Sequence, residues 1–449
     1  MSNLDTSHAE ARQWYLSNFE WFENSLNGSG DTPFHEMRKT AIARFAELGF
    51  PTPRNEEWKY TNVAPILQHK FKLAAGTGNV NKKGLAPFLF KGVKENLLVF
   101  VNGYFLRELS VLQSTSSGLV IDNLKDTLQN RSEATRYLGR IAKFENDSFT
   151  ALNTAFASEG VLVVVPDGQV VADPIHIINL AHPEGASFVS YPRNLFVVGQ
   201  SSQVQIIESF HHLSNNAYFN NVVSEIVLHD NAIVDHLKIQ DESEAAYHVA
   251  NTQVSQQRDS VYTSVNVDLG GALVRNNLNV LLDGENSETH LFGFYLAGGT
   301  QHIDNHTFMD HARPHCHSNE LFKGILDGKA RAVFNGKILV RPDAQKTNAL
   351  QSNKTLLLTD DASINTKPQL EIFADDVKCT HGATIGQLDE EALFYLRARG
   401  IGEELAAAML RYAFVGDVFE HIKIESVRKA LEKKIIDRLQ VAGELRWRH

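Results

Sequence analysis

The chain has 449 residues, 43% of them hydrophobic and 21% charged, which is enough apolar side chain to bury a core and to divide into two or three structural units. A formal net charge of −10, with no run of lysines or arginines, excludes the footprint of a protein that grips phosphate backbones or anionic lipid, so neither nucleic acid nor a membrane surface is expected as a partner. Nowhere do about eighteen apolar residues run together to span a bilayer, and the opening MSNLDTSHAEARQWYL lacks the features of a secretory leader or transit peptide, so a cytoplasmic location is expected.

The first part reads as mostly helical. Trp14, Phe19, Phe22 and Leu26 recur at helical spacing, and a second helix opens at Thr32-Pro33, a capping hydroxyl before a proline at the first helical position. It carries Met37, Ala41, Phe45 and Leu48 on one stripe and stops at Gly49. The stretch from Pro51 to Leu67 predicts a loop and short helix. Residues 73–92, rich in Gly, Asn and Lys, predict a mobile connection. Leu97 to Leu109 has a hairpin pattern turning on Asn102-Gly103, a pair that tolerates positive φ. Helical patterning then returns to about Phe156.

From about Val161 to Leu388 short runs of alternating apolar and polar residues, broken by Asp, Asn, Gly and Ser, predict a long all-β region. A phrase recurs inside it: an apolar run ends in Asp230, Asp283, Asp327 or Asp360, a polar or glycine turn follows, and another strand begins. The intervals are uneven, which suggests one unit per turn in places and two in others. Such corners suit a parallel β-helix, though a jelly roll or sandwich also gives short strands with polar turns. After Leu388, Asp389 caps a helix with acidic residues in its first turn, Arg397 and Arg399 at its end, and Gly400 after it. Val427, Leu431, Ile435 and Leu439 follow at steps of four in the last helix. The expected division is 1–158 mostly helical, 159–388 β-core, and 389–449 a small helical domain that is marginal as a freestanding unit.

Three stretches, QLEIFADDVKCTHGATIGQLDEEALFYLRARGI from Gln369, ALNTAFASEGVLVVVPDGQVV from Ala151, and RNEEWKYTN from Arg54, resemble signatures of the SufB/SufD family, in the family's order and across nearly the whole chain. The details favour the SufD branch. The resemblance implies a right-handed parallel β-helix flanked by N- and C-terminal helical domains. It also implies a non-enzymatic scaffold role in iron–sulfur cluster assembly, with SufB and the ABC-type ATPase SufC as partners. The residues agree with that division. No phosphate-binding G-x-x-x-x-G-K-[ST] is present: Gly324 to Lys329 is one residue short and Ala330 stands where the metal-binding hydroxyl belongs. Cys316 and Cys379 are the only cysteines, too few for a disulfide framework or for enclosing a cluster that needs about four thiolates. No cofactor is therefore expected in the isolated chain, and a transient Fe–S cluster or iron would be shared with SufB. Alone, the chain is expected to form a homodimer through the exposed end strands.

Cys379 and His381 are two apart, so on a strand they face the same way, and a thiolate beside an imidazole suits iron. By resemblance His381 matches the family's interface histidine, where the new cluster or metal is shared, and Cys379 its neighbour; the other reading is a small hydrophobe beside a histidine bonded to a corner. Tyr395, Leu396, Arg397, Arg399, Gly400 and Ile401 match the region that meets SufC, or else belong to an internal helix. His302, His306, His311, His315, Cys316 and His317 form the densest histidine run. His302 and His306 would share a strand face, as would His315 and His317. They fit no recognised ligand spacing, and surface stacking or a subunit seam explains them more simply than a homodimeric metal-binding protein does. Asp375 and Asp376, the carboxylates a carbohydrate-active β-helix enzyme would need, face opposite ways if they lie on a strand and so cannot flank one glycosidic bond.

Overall fold

A computed structural model describes residues 3–26, 33–74, 76–112, 118–127, 136–183 and 187–444; the Thr32 cap lies outside them. From Val161 the chain winds into a parallel β-solenoid with two strands per coil, one in each of two sheets. Successive coils stack in register. In the first sheet Phe219 stands beside Tyr247, Tyr247 beside Leu273, Leu273 beside His302 and His302 beside Arg331. The mainly β solenoid that the corners suit and the family resemblance implies is therefore the fold, and the sandwich alternative is set aside.

The corners explain both the repeat and its uneven spacing. Leading from the first sheet to the second, Ser201, Asn231, Asp259, Asn286, His315 and Lys346 hold φ between 54° and 61°. Each donates its backbone N–H to a carbonyl of the next corner, from Ser201 to Asp230 at 2.9 Å through to Lys346 to Asp376 at 2.7 Å. Asn and Asp occupy this left-handed region at low cost, which is why they punctuate the sequence. The return corners turn on Gly271, Gly299 and Gly328 in three coils. Asp230 and Asp283 belong to corners of the first kind, Asp327 and Asp360 to the second, so the phrase had merged two different corners.

Inside the coils Ile206, Val254, Tyr262, Val280, Leu291 and Met309 belong to one continuous apolar cluster. Close approach needs glycine at Gly324, where an added Cβ would come within 1.9 Å of the buried Tyr295 ring. The early end of the solenoid is closed. The predicted hairpin forms from Asn96–Val101 and Tyr104–Phe105, with Asn102 at φ 53° and Gly103 at φ 87°. Val120–Asn123, in a stretch read as helical, is instead a strand antiparallel to Val161–Val165. The 73–92 connection holds two short helical turns, Lys82–Leu85 and Ala86–Phe88, fastened by buried Leu85 and by Phe88 stacked on His211.

Helices α1 (Asn3–Ser25), α2 (Pro33–Leu48) and α3 (Ser148–Phe156) meet in an aromatic cluster that includes Tyr15, Phe19, Phe45, Trp58 and Phe156. At the other end of the chain come α4 (Glu390–Ala398), α5 (Glu403–Phe419) and α6 (Glu425–Glu444). Val415, Phe419, Leu431 and Ile435 of α5 and α6 lie in one cluster with Leu237, Val265 and Phe294 on the outer face of the second sheet. Lys323 donates to the Phe414 carbonyl at 2.7 Å and pairs with Asp417 at 2.5 Å, Lys423 pairs with Asp235 at 2.7 Å, and Lys434 and Arg438 both reach Asp241. These two helices are thus a cover clamped to the solenoid, which supplies the core that sixty residues could not build alone. Gly324→Ala is expected to lower unfolding stability by about 1–3 kcal/mol, because the Tyr295 ring has no room to retreat; chemical denaturation of the purified chain measures it.

Candidate functional site

The late end of the solenoid has no such closure. Ser363–Ile372 pairs only with Arg331–Val340 in its sheet, and Lys378–Gly386 only with Asn348–Leu357. Among the described residues the outer edges of both strands lack a ladder partner, and neither strand contains a buried residue. Ile372, Phe373 and Ile385 are 40%, 63% and 47% exposed beside them. An open edge of this kind is a template for another strand.

Cys379 and His381 lie on this last strand. Its start is pinned by Lys378 N–H to the Thr347 carbonyl at 2.8 Å and by the Asp376 N–H to Gln345 Oε1 at 2.9 Å, which sets Cys379 beside Ala349 and His381 beside Gln351. Ala349 is part of the inner cluster, so both residues share the face turned toward the solenoid interior, as their spacing predicts. Cys379 is half-buried against that cluster, and burial pushes its thiol up against a lowering backbone hydrogen bond at Ala349. His381 is exposed. Asp375 and Asp376 lie in the bend before this strand, not on it, and Asp376 pairs with Lys346 across the corner.

Directly beneath His381 the interior turns polar. Gln351 stands beside Glu320, and Glu320 Oε2 accepts from Thr307 Oγ1 at 2.5 Å across the coil. Glu320 is fully buried, and that burial pushes its carboxyl up to about 7 against the lowering hydrogen bonds of Thr307 and Gln351. Deeper still, His236 bonds Glu208 at 2.7 Å and Lys238 donates to Asn276 at 2.5 Å, around a cavity of about 30 Å³ lined also by Ser264, Asn266 and Asn305. Burial raises Asp268 and lowers Lys238 in the same group.

The histidine run is spread over three surfaces. His302 and His306 do share the outer face of the first sheet, where they receive the segment around Trp58. Thr61 Oγ1 lies 2.8 Å from His302 Nε2 and donates to Asp304 at 2.5 Å, while His306 Nε2 lies 3.0 Å from Asp304. Arg275 covers the Trp58 ring at 4.5 Å and pairs with Asp304 at 2.5 Å. Burial alone would raise the Asp304 carboxyl, but Arg275 and the two histidines outweigh it and hold it well below the usual range. His311 points inward to Ser318 at 2.9 Å, and Cys316 is buried against Ser287 and the Gly284 carbonyl. His315 occupies the left-handed corner position and His317 opens the next strand, so the shared face expected for that pair does not form. Among the described residues no group of three or more His, Cys, Asp or Glu is arranged to hold a metal.

Helix α4 is not internal. It has no buried residue: Tyr395 is exposed with the Arg399 guanidinium 4.4 Å over its ring, Arg397 pairs with Glu403 at 3.2 Å, and Phe394 is 73% exposed. Leu396 and Ile401 are partly covered, and Gly400 closes the helix at φ 86°.

The family model described as SUF system FeS cluster assembly, SufBD core domain, matches residues 180–414, and that of the SufBD protein N-terminal region matches 9–177. The chain belongs to the SufB/SufD family. Relatives include an iron–sulfur cluster assembly SufBD family protein of Synechocystis, 35% identical over 91% of this chain and 92% of that protein. The iron–sulfur cluster assembly protein SufD of Escherichia coli is 30% identical over 98% and 99% of the two chains. A chloroplastic protein of Arabidopsis thaliana is 30% identical over 91% and 87%. The SufB/SufD signatures read around Arg54, Ala151 and Gln369 thus fall within matched regions. Among the described residues no helix is long and apolar enough to cross a membrane.

Sequence reasoning singled out His381 and Cys379 but not Glu320 and Gln351, which the register places beneath His381. The strand alternation was readable in HSNELFKGIL and NALQSNKTLL, but which parity faces inward was not, because Lys323 on the opposite parity is buried too, under α5. The raised Glu320 carboxyl has a measurable consequence. The fold holds its proton more tightly than the unfolded chain does, so the stability it contributes is complete below about pH 4.5 and is lost as pH rises through about 7. Glu320→Gln, which cannot ionise, is expected to match the parent near pH 4.5 and to exceed it above pH 8 by on the order of 3 kcal/mol in denaturation curves.

Proposed function

We propose that this chain is a scaffold subunit of a SufBCD-type assembly complex that binds rather than transforms. It pairs through the open end of its solenoid with SufB and offers His381, with Cys379 beside it, to a nascent cluster or iron that the two chains share. The carrying observation is the unclosed last coil, which leaves ladder groups and the two candidate ligands on one edge while the early end is capped. Two ligands from one chain form an incomplete set, so a neighbouring polypeptide must finish it. Pairing between two copies of the same edge would give a homodimer when SufB is missing.

SufC docks on the exposed face of α4 around Tyr395, Arg397 and Arg399. The salt bridges that fasten α5 and α6 to the second sheet would carry ATP-driven displacement of SufC to the strands that end at the seam. His381 must present a neutral nitrogen to bind iron, and Cys379 must lose the proton that burial favours. Assembly with iron present supplies the charge that makes that loss favourable.

The test is coexpression of the tagged chain with its SufB and SufC. A joint complex is expected, and His381→Ala should leave its composition unchanged while lowering bound iron and acid-labile sulfide by about tenfold or more. Recovery of the tagged chain without SufB, or unchanged iron and sulfide in the variant, counts decisively against the proposal.

A further inference from the structure

The rungs under His381 form a three-step stack that ends at the open edge. In the second sheet Glu320, Gln351 and His381 are successive register partners. In the first sheet Thr307, Gly336 and Pro368 are successive partners. Thr307 reaches Glu320 across the coil, and Gln351 lies against Gly336, where an added Cβ would come within 2.3 Å of its Nε2. The register therefore places Gln351 between buried Glu320 below and exposed His381 above. Glu320 Oε1 and both Gln351 amide atoms are buried, and among the described residues the amide interacts with the Glu320 carboxyl alone, so no third partner commits it to one orientation.

We propose that Gln351 is a positioning residue for His381, and that the protonation state of Glu320 sets which end of the Gln351 amide His381 meets. The proposal rests on the seam reading only for its consequence, since the coupling itself belongs to the isolated chain. When Glu320 is neutral its O–H donates to Gln351 Oε1, and the amide NH₂ faces the edge. The NH₂ then donates to the near ring nitrogen of His381, which leaves the N–H on the nitrogen that faces outward. When Glu320 is ionised it accepts from the NH₂, and Oε1 faces the edge instead. The near ring nitrogen then carries the proton and donates it to Oε1, leaving the outward nitrogen bare and able to bind a metal. The proton released by Glu320 passes to solvent, and no other bond changes.

The surroundings of Glu320 suit such a device. Leu291 faces it from below, Thr307 and Gly336 from the opposite sheet and Gln351 from above, and none of these carries a charge. The inward titratable groups on neighbouring strands are His311, bonded to Ser318, and Tyr295, bonded to Thr355 and Asn353. Both are neutral, burial having lowered His311 to about 3 and raised Tyr295 to about 12. Burial also sets the Glu320 carboxyl near neutrality, so its state changes across the physiological range.

The experiment uses the isolated full chain labelled with ¹⁵N-histidine, with the His381 ring signals identified by their loss in His381→Asn. Long-range ¹H–¹⁵N spectra at pH 8 report the ratio of the two neutral tautomers. Glu320→Gln, whose NH₂ donates as the neutral acid would, is expected to shift that ratio at least about fivefold from the parent, and Gln351→Leu to leave one ratio whether residue 320 is Glu or Gln. A ratio unmoved by Glu320→Gln, or a Glu320 effect that survives Gln351→Leu, overturns the proposal. If the ratio shifts as expected while His381→Ala leaves iron and sulfide in the joint complex unchanged, the coupling stands and the seam reading fails.

Discussion

The parallel hydrogen-bond ladder along the solenoid axis is the constraint on which the rest depends. A coil two strands wide cannot bury its inner face alone, so each is stabilised by the coils above and below, and a backbone group left unpaired in such a structure must find water or another chain. At the early end antiparallel strands and an aromatic helical cluster take up that requirement. At the late end nothing in the described chain does. The unpaired edge, the exposed Ile372, Phe373 and Ile385 and the exposure of His381 thus have one cause.

The corner column shows how local chemistry serves this ladder. Six residues in the left-handed region, each donating its backbone N–H to a carbonyl of the next corner, hold the coils in register, and one of them is His315 of the dense histidine run. His302 and His306 are likewise occupied, fastening the segment around Trp58 to the first sheet through Asp304. Histidine density here reflects docking and turning, while His381 stands apart from the run, exposed on the open last strand.

The interior divides between apolar packing and a buried polar file. Glu208 with His236, Lys238 with Asn276 and Asp268, and Glu320 with Thr307 are all removed from water, which costs stability unless each is partnered. Most are partnered, and buried atoms without a well-formed hydrogen bond occur both deep in the file, at Asn266 Oδ1, and nearer the open edge, at Glu320 Oε1 and the Gln351 amide.

The sequence by itself determined the long all-β middle and its Asp, Asn and Gly corners, since corners and period-two strands are local properties of short segments; the coil itself came from the family resemblance, because the same local pattern also suits a sandwich. It also determined the Asn102-Gly103 hairpin, the Asp389 cap, the last helix with Val427, Leu431, Ile435 and Leu439 inward, and the shared face of Cys379 and His381. Only the tertiary structure decided that the C-terminal helices clamp onto the second sheet, that α4 stands exposed, that residues 82–88 are fastened down, and that Glu320 and Gln351 lie beneath His381. The physical reason is range: corners and caps are set by neighbours in the chain, whereas Glu320, Gln351 and His381 are about thirty residues apart and meet only because each coil returns to the register of the one before.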